Sequence, residues 1–129
     1  MLFIVLLRTR ILTRMKNDDP RKRVTAICLG FPAATSELCG DSHVTYRVRK
    51  KVFAYFLDNH HGDGIIGACV KVAAPENAAL VKQHPERYFM PAYIGPKGWL
   101  GMRLDVKKVD WDEVAARLAA SYAATSPRR

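Results

Sequence analysis

Six cations and two aromatic residues form the strongest chemical grouping in the sequence. Arg47, Arg49, Lys50 and Lys51 lie in one short stretch, Lys97 and Arg103 in another, with Tyr93 and Trp99 beside the second. Guanidinium and ammonium groups neutralise phosphates and aromatic faces stack on bases, so the grouping has the chemistry that nucleic-acid binding needs. The plainer reading is that exposed Lys and Arg keep strands soluble and blunt their edges, while Trp99 anchors the core.

Other groupings carry less. Gly95-Pro96-Lys97-Gly98 has glycines and a lysine, as phosphate cradles do, but a P-loop places Gly-x-x-x-x-Gly-Lys-Ser/Thr between a strand and a helix. Here strand-like segments flank the glycines, and a hairpin turn is expected. His60-His61 with Asp58, Asp63 and Cys69 offers metal-ligand types. Adjacent histidines point in opposite directions on an extended chain, and no second spaced pair exists, so a polar loop and no metal are expected. Cys39 or Ser42 near His43 lacks any recognisable nucleophile frame. Cys28 falls on an apolar helical face, and Asp19, Asp110 and Glu113 stand where helix caps belong. No catalytic residue and no cofactor are expected.

The 129 residues, 49% of them hydrophobic, suffice for one domain with one core. A formal net charge of +9 and a pI near 9.8 favour an anionic partner. Three cysteines without paired spacing give neither a disulfide framework nor a Cys-x-x-Cys motif, and point to a reducing cytoplasm. Leu2 to Leu7 is an apolar run far shorter than the roughly 20 residues of a membrane-spanning helix, and no cleavage site follows it. Residues 1–14 are therefore expected to be a leader, either disordered or the product of a misplaced start, with the domain covering 15–129 from Met15. Without the leader 18 basic residues face 12 acidic ones, a net +6, so the basic character persists.

Asp19 and Pro20 open a helix whose Val24, Ile27, Cys28 and Phe31 recur at helical spacing until Gly30 and Pro32 stop it. Ala33 to His43 reads as a small, polar linker. Val44, Tyr46 and Val48 alternate with polar residues as in a half-buried strand. Arg49-Lys50-Lys51 turns into a second strand, Val52 to Leu57, and a loop through Asp63-Gly64 leads to a third, Ile65 to Val72. Pro75 begins a helix with Ala79, Leu80 and Val81 inward, ended by His84-Pro85. Phe89 to Ile94 and Trp99 to Leu104 read as a hairpin. Asp110 and Glu113 have capping-box spacing ahead of a stripe of Trp111, Val114, Ala115, Leu118 and Tyr122. The predicted order is α-β-β-β-α-β-β-α, an α+β fold with two layers.

The segment from Tyr93 through Lys97 and Trp99 to Leu104-Asp105, with a last helix opening at Asp110-Trp111-Asp112-Glu113 and carrying Ser121-Tyr122, resembles the MmcQ/YjbR-like family. Its members carry an aromatic-x-Gly/Asn-x-Lys/Arg-x-Trp hairpin and a closing helix with Ser-Tyr. Gly30-Phe31-Pro32 and Lys51-Val52-Phe53-Ala54 are similar to the family's first turn and second strand. The resemblance spans about Pro20 to Pro127. It implies a CyaY-like antiparallel sheet covered by helices. It also implies DNA binding, ascribed to such proteins because two hairpins look like a pair of wings. On that reading Arg47, Arg49, Lys50, Lys51, Lys97, Trp99 and Arg103 meet DNA or another nucleic acid through its backbone. The alternative is a non-enzymatic module that binds a protein or small ligand through the sheet face or the Tyr93/Trp99 hairpin; an enzyme would require a pocket gathering His43, Cys39 or the His60-His61 loop with that hairpin. One position departs: many members have His or Arg before the tryptophan, where this chain has Gly98.

Overall fold

The computed structural model describes residues 19–40, 43–60 and 62–126. The expected leader, Met15, Ser42, His61 and the residues after Ser126 lie outside the described residues. Asp19 caps α1 (Pro20–Leu29) by accepting the Arg21 and Lys22 amides at 3.0 and 3.5 Å. There follow β1 (Ala34–Cys39), β2 (His43–Val48), β3 (Lys51–Asp58), β4 (Ile66–Lys71), α2 (Glu76–Gln83), β5 (Tyr88–Phe89), β6 (Trp99–Arg103) and α3 (Trp111–Thr125). The six strands form one antiparallel sheet in the order β1-β2-β3-β4-β6-β5.

The fold is α+β as expected, with three corrections of detail. The polar linker contains a strand: Ala34–Cys39 pairs along its whole length with His43–Val48, making the meander four-stranded. Its side chains are mostly exposed, so pairing with β2 rather than an apolar period makes it a strand. The second expected hairpin shrinks to two pairs, Tyr88↔Met102 and Phe89↔Gly101, and residues 90–98 form a loop with a 3₁₀ turn at Gly95–Lys97. Pro91 and Pro96 supply no amide hydrogen for a ladder. Asn77 of α2, only 2% exposed, instead donates its amide to Gly95 O at 2.8 Å and Trp99 O at 2.9 Å, pinning the loop. Asn77 also corrects the expectation for α2, because Ala79 is exposed while Leu80 and Val81 are only partly buried.

Register sorts the cross-strand ladders onto the two faces of the sheet, two on one face and one on the other. Tyr46, Ala54, Val70 and Leu100 are successive partners, as are Val44, Phe56, Ala68, Met102 and Tyr88; all are buried beneath α1 and α3. Burying one side chain of this size contributes about 1.5–3 kcal/mol. On the other face runs Glu37, Thr45, Tyr55, Cys69, Gly101 and Phe89. The β2–β3 register shifts between Tyr46 and Arg47, leaving Phe53 as an unmatched bulge turned into the helical layer against Tyr122, with ring centroids 5.4 Å apart. Ser121 of α3 enters this break: its Oγ donates to Phe53 O at 2.6 Å and accepts the Lys71 amide at 3.0 Å. Next to it, Tyr122 donates its hydroxyl to Pro32 O at 2.6 Å.

Candidate nucleic-acid interface

Val48 pairs with Lys51, so Arg49 and Lys50 alone form the β2–β3 loop, with φ of +50° and +72°. That conformation matches the right-handed twist of a hairpin, and Asn-Gly is its usual occupant. Side chains with a Cβ there cost about 1–2 kcal/mol per residue. Arg49, Lys50 and Lys51 are all exposed. Lys51 starts β3, Lys71 ends β4, and Lys71 pairs with Trp99 at the start of β6, two residues after Lys97. The antiparallel order therefore carries Arg49, Lys50, Lys51, Lys71 and Lys97 to one end of the sheet. Burial lowers the affinity of the Lys71 ammonium for its proton, and the neighbouring Lys51 charge lowers it further.

The remaining predicted residues are placed differently. Arg47 Nη1 lies 2.7 Å from Glu37 Oε1 on the sheet face away from the helices. Arg103 grips Asp105 through Nε at 3.0 Å and Nη2 at 2.9 Å, at the far end of β6 from Lys97. Hydrogen bonding to Asp105 raises the Arg103 pKa, and the same bond outweighs burial in lowering that of Asp105. Trp99 is 8% exposed, with its ring 5.1 Å from Tyr55 and the Lys71 ammonium 5.8 Å from its centroid. Tyr93 is 82% exposed and held at φ +69°, a conformation uncommon for a bulky residue.

Behind Tyr93 the loop arches over the sheet and leaves a cavity of about 190 Å³ lined by His43, Tyr55, Leu57, His60, Pro91, Ala92, Tyr93 and Ile94. The His43 ring meets Tyr55 edge-on at 5.3 Å and His60 at 4.6 Å. Phe89, at the foot of the loop, lies over Gly67 and Gly101; a Cβ on Gly101 would sit 2.4–2.6 Å from the ring. Gly98 has φ +97° and packs so closely that a Cβ would be 2.8 Å from Ala73 Cα. A His or Arg at this position would meet the same backbone, so the sequence departure matches the local geometry.

The other chemical groupings separate into structural roles. Thr45 Oγ1 stands between Cys39 Sγ at 3.8 Å and His43 Nε2 at 3.3 Å. Burial pushes the Cys28 and Cys69 thiols up to about 12, which removes their nucleophilic character near neutral pH. Among the described residues no three His, Cys, Asp or Glu side chains gather as metal ligands. Asp110 caps α3 by accepting the Glu113 amide at 3.1 Å, but the Glu113 carboxylate does not complete a capping box. It binds Arg87, the Tyr88 hydroxyl and Arg117 Nε. Burial alone would raise the Glu113 pKa, and these hydrogen bonds overcome it and hold the group below the usual glutamate value.

The YjbR family model matches residues 29–124. The chain belongs to the YjbR family. The crystal structure of Deinococcus radiodurans protein DR2400, a DUF419 domain, is similar with a TM-score of 0.59 and 18% identity, covering 77% of this chain and 72% of that one, a likeness of fold. No curated protein matches the sequence. In this YjbR domain several residues that carry the family resemblance build the fold: Ser121 plugs the bulge, Tyr122 ties α3 to the α1 turn and Asp110 caps α3. Lys71 and the cavity were missed by sequence reasoning. Lys71 lies outside any cationic run, and its place in the basic end follows only from strand order.

Proposed function

We propose that this YjbR domain binds nucleic acid, without catalysis, by docking phosphates along Arg49, Lys50, Lys51, Lys71 and Lys97. The supporting observation is the Arg49-Lys50 tip: two cations occupy left-handed positions that Asn-Gly would fill at lower cost, and they extend an end of the sheet already holding three lysines. Trp99, packed beneath Lys71, supports this surface, whereas Arg47 is paired to Glu37 and Arg103, paired to Asp105, lies at the opposite end of β6. The free thiols Cys28, Cys39 and Cys69 suit a reducing cytoplasm, and no helix among the described residues is long and apolar enough to cross a membrane.

Backbone recognition gives affinity with little sequence preference and a steep dependence on salt. With five phosphates neutralised, log K falls against log salt with a slope of about −4.5 for duplex and about −3.5 for single strands. Fluorescence anisotropy across a salt series tests this beside an R49A/K50A/K51A variant, which should flatten the slope by about 2 to 3. Absence of binding even at low salt would reject the nucleic-acid reading and favour a protein or small-molecule partner.

A further inference from the structure

The cavity behind Tyr93 has dimensions and chemistry of its own. At about 190 Å³ it is smaller than the roughly 300–1,000 Å³ of drug-sized ligand sites, and close to the roughly 150 Å³ cavity that accepts one benzene ring. Leu57, Pro91, Ala92 and Ile94 supply apolar wall, and His43, Tyr55, His60 and Tyr93 supply ring surface with polar edges. Imidazole nitrogens and phenol hydroxyls both donate and accept hydrogen bonds, as the edge of a nucleobase requires. Tyr93 stands at the mouth, 82% exposed, on a left-handed backbone conformation that is uncommon for a bulky residue. An exposed aromatic ring on strained backbone beside a cavity offers a guest a face to stack on.

Charge decides which planar guest fits. The cavity lies on the same face of the sheet as Tyr55 and Trp99, and the Lys71 ammonium lies over Trp99. From Lys51 to Leu57 along β3 is six residues, about 20 Å at 3.3 Å per residue. A stacked strand advancing 3.4 Å per nucleotide covers that span in about six nucleotides. Bases within a duplex are stacked and paired, so none can enter a recess between loop and sheet without being flipped out. Resting on the nucleic-acid reading above, we infer that the His43–Tyr55–His60–Tyr93 cavity seats one unpaired base of a single-stranded nucleic acid whose phosphates run toward Lys71 and Lys51.

The test is anisotropy of the full chain with three labelled probes: a 12-nucleotide oligothymidylate, an abasic strand of equal length and a 12-base-pair duplex. Each is measured with the native chain and with Tyr93→Ala, whose exposed ring makes the variant foldable, as a thermal melt confirms. Oligothymidylate should bind tighter than the abasic strand, and Tyr93→Ala should weaken it by about 5- to 150-fold, the loss of one base–aromatic stack, while leaving the abasic strand unaffected. Equal binding of thymidylate and abasic strands, or an unchanged Tyr93→Ala affinity, overturns the base-seating inference while salt-dependent binding of all three probes keeps the phosphate reading. If no probe binds at low salt, both fall.

Discussion

Gly101→Ala isolates the seat of the loop. A Cβ at this position lies 2.4, 2.5 and 2.6 Å from Phe89 Cζ, Cε1 and Cε2, against the roughly 3.5–4.0 Å of a carbon–carbon contact, so the ring must move by about 1 Å or more. Gly67 occupies the adjacent strand beneath the same ring, so sliding sideways removes one clash at the expense of another contact. Overpacking of this kind costs about 1–3 kcal/mol. Against it stands a gain of about 0.5–1 kcal/mol from replacing glycine by alanine inside a strand. The net expectation is a loss of about 1–2 kcal/mol, or a Tm lower by about 4–9 °C for a domain of this size. Urea and thermal denaturation of the four members of a Gly101→Ala and Phe89→Ala cycle measure it. In the Phe89→Ala background the sign should reverse, Gly101→Ala becoming neutral or stabilising by about 0.5 kcal/mol. An equal cost in both backgrounds would refute the role given to the ring.

Two further outcomes rest on the helical layer. Ser121→Ala leaves the Phe53 carbonyl and the Lys71 amide without their shared hydroxyl and should cost about 2–4 kcal/mol in urea denaturation, whereas Tyr122→Phe, losing one bond to Pro32 O, should cost about 0.5–1.5 kcal/mol. Similar small losses for both would remove the case for Ser121 as the plug of the bulge. Glu113, with its folded pKa lowered below the unfolded value, contributes stability that is present above that value near 4.5 and is lost as pH falls through the folded pKa. Glu113→Gln should therefore cost about 1–3 kcal/mol at pH 7 and progressively less below about pH 4, read as urea midpoints at the two pH values. A cost that persists or grows in acid contradicts this assignment.

The helices were legible because their signals are local: Asp19 before Pro20, Asp110 three residues before Glu113, and apolar residues at a 3.6 period. Strand β1 was not, since Ala34–Cys39 owes its conformation to β2 and buries almost nothing of its own. The 90–98 connection resembled a tight hairpin because Gly and Pro punctuate it, yet its path is set by an Asn77 amide 18 and 22 residues away. For the site, sequence identified which residues are cationic but not which are already paired. Arg47 meets Glu37 ten positions earlier, on a strand that went unrecognised. The Arg103–Asp105 pair was within reach, because the opposite charges lie only two residues apart where β6 ends. The cavity needs a loop and two strands to coincide, and no local pattern encodes that.

The Ser121 hydroxyl reaches back across 68 residues and that of Tyr122 across 90. During synthesis at roughly 5–20 residues per second, Phe53 precedes Ser121 by about 3–14 s. Through that interval the bulge carbonyl and the apolar face of the meander have no α3 to cover them, while the cationic hairpin tip is already complete. A nascent chain of this sequence is thus an open, half-dressed sheet whose protection arrives last. Contacts so distant in sequence also slow spontaneous folding. A truncation or pause ahead of Ser121 should therefore leave the apolar face that α3 covers open to aggregation.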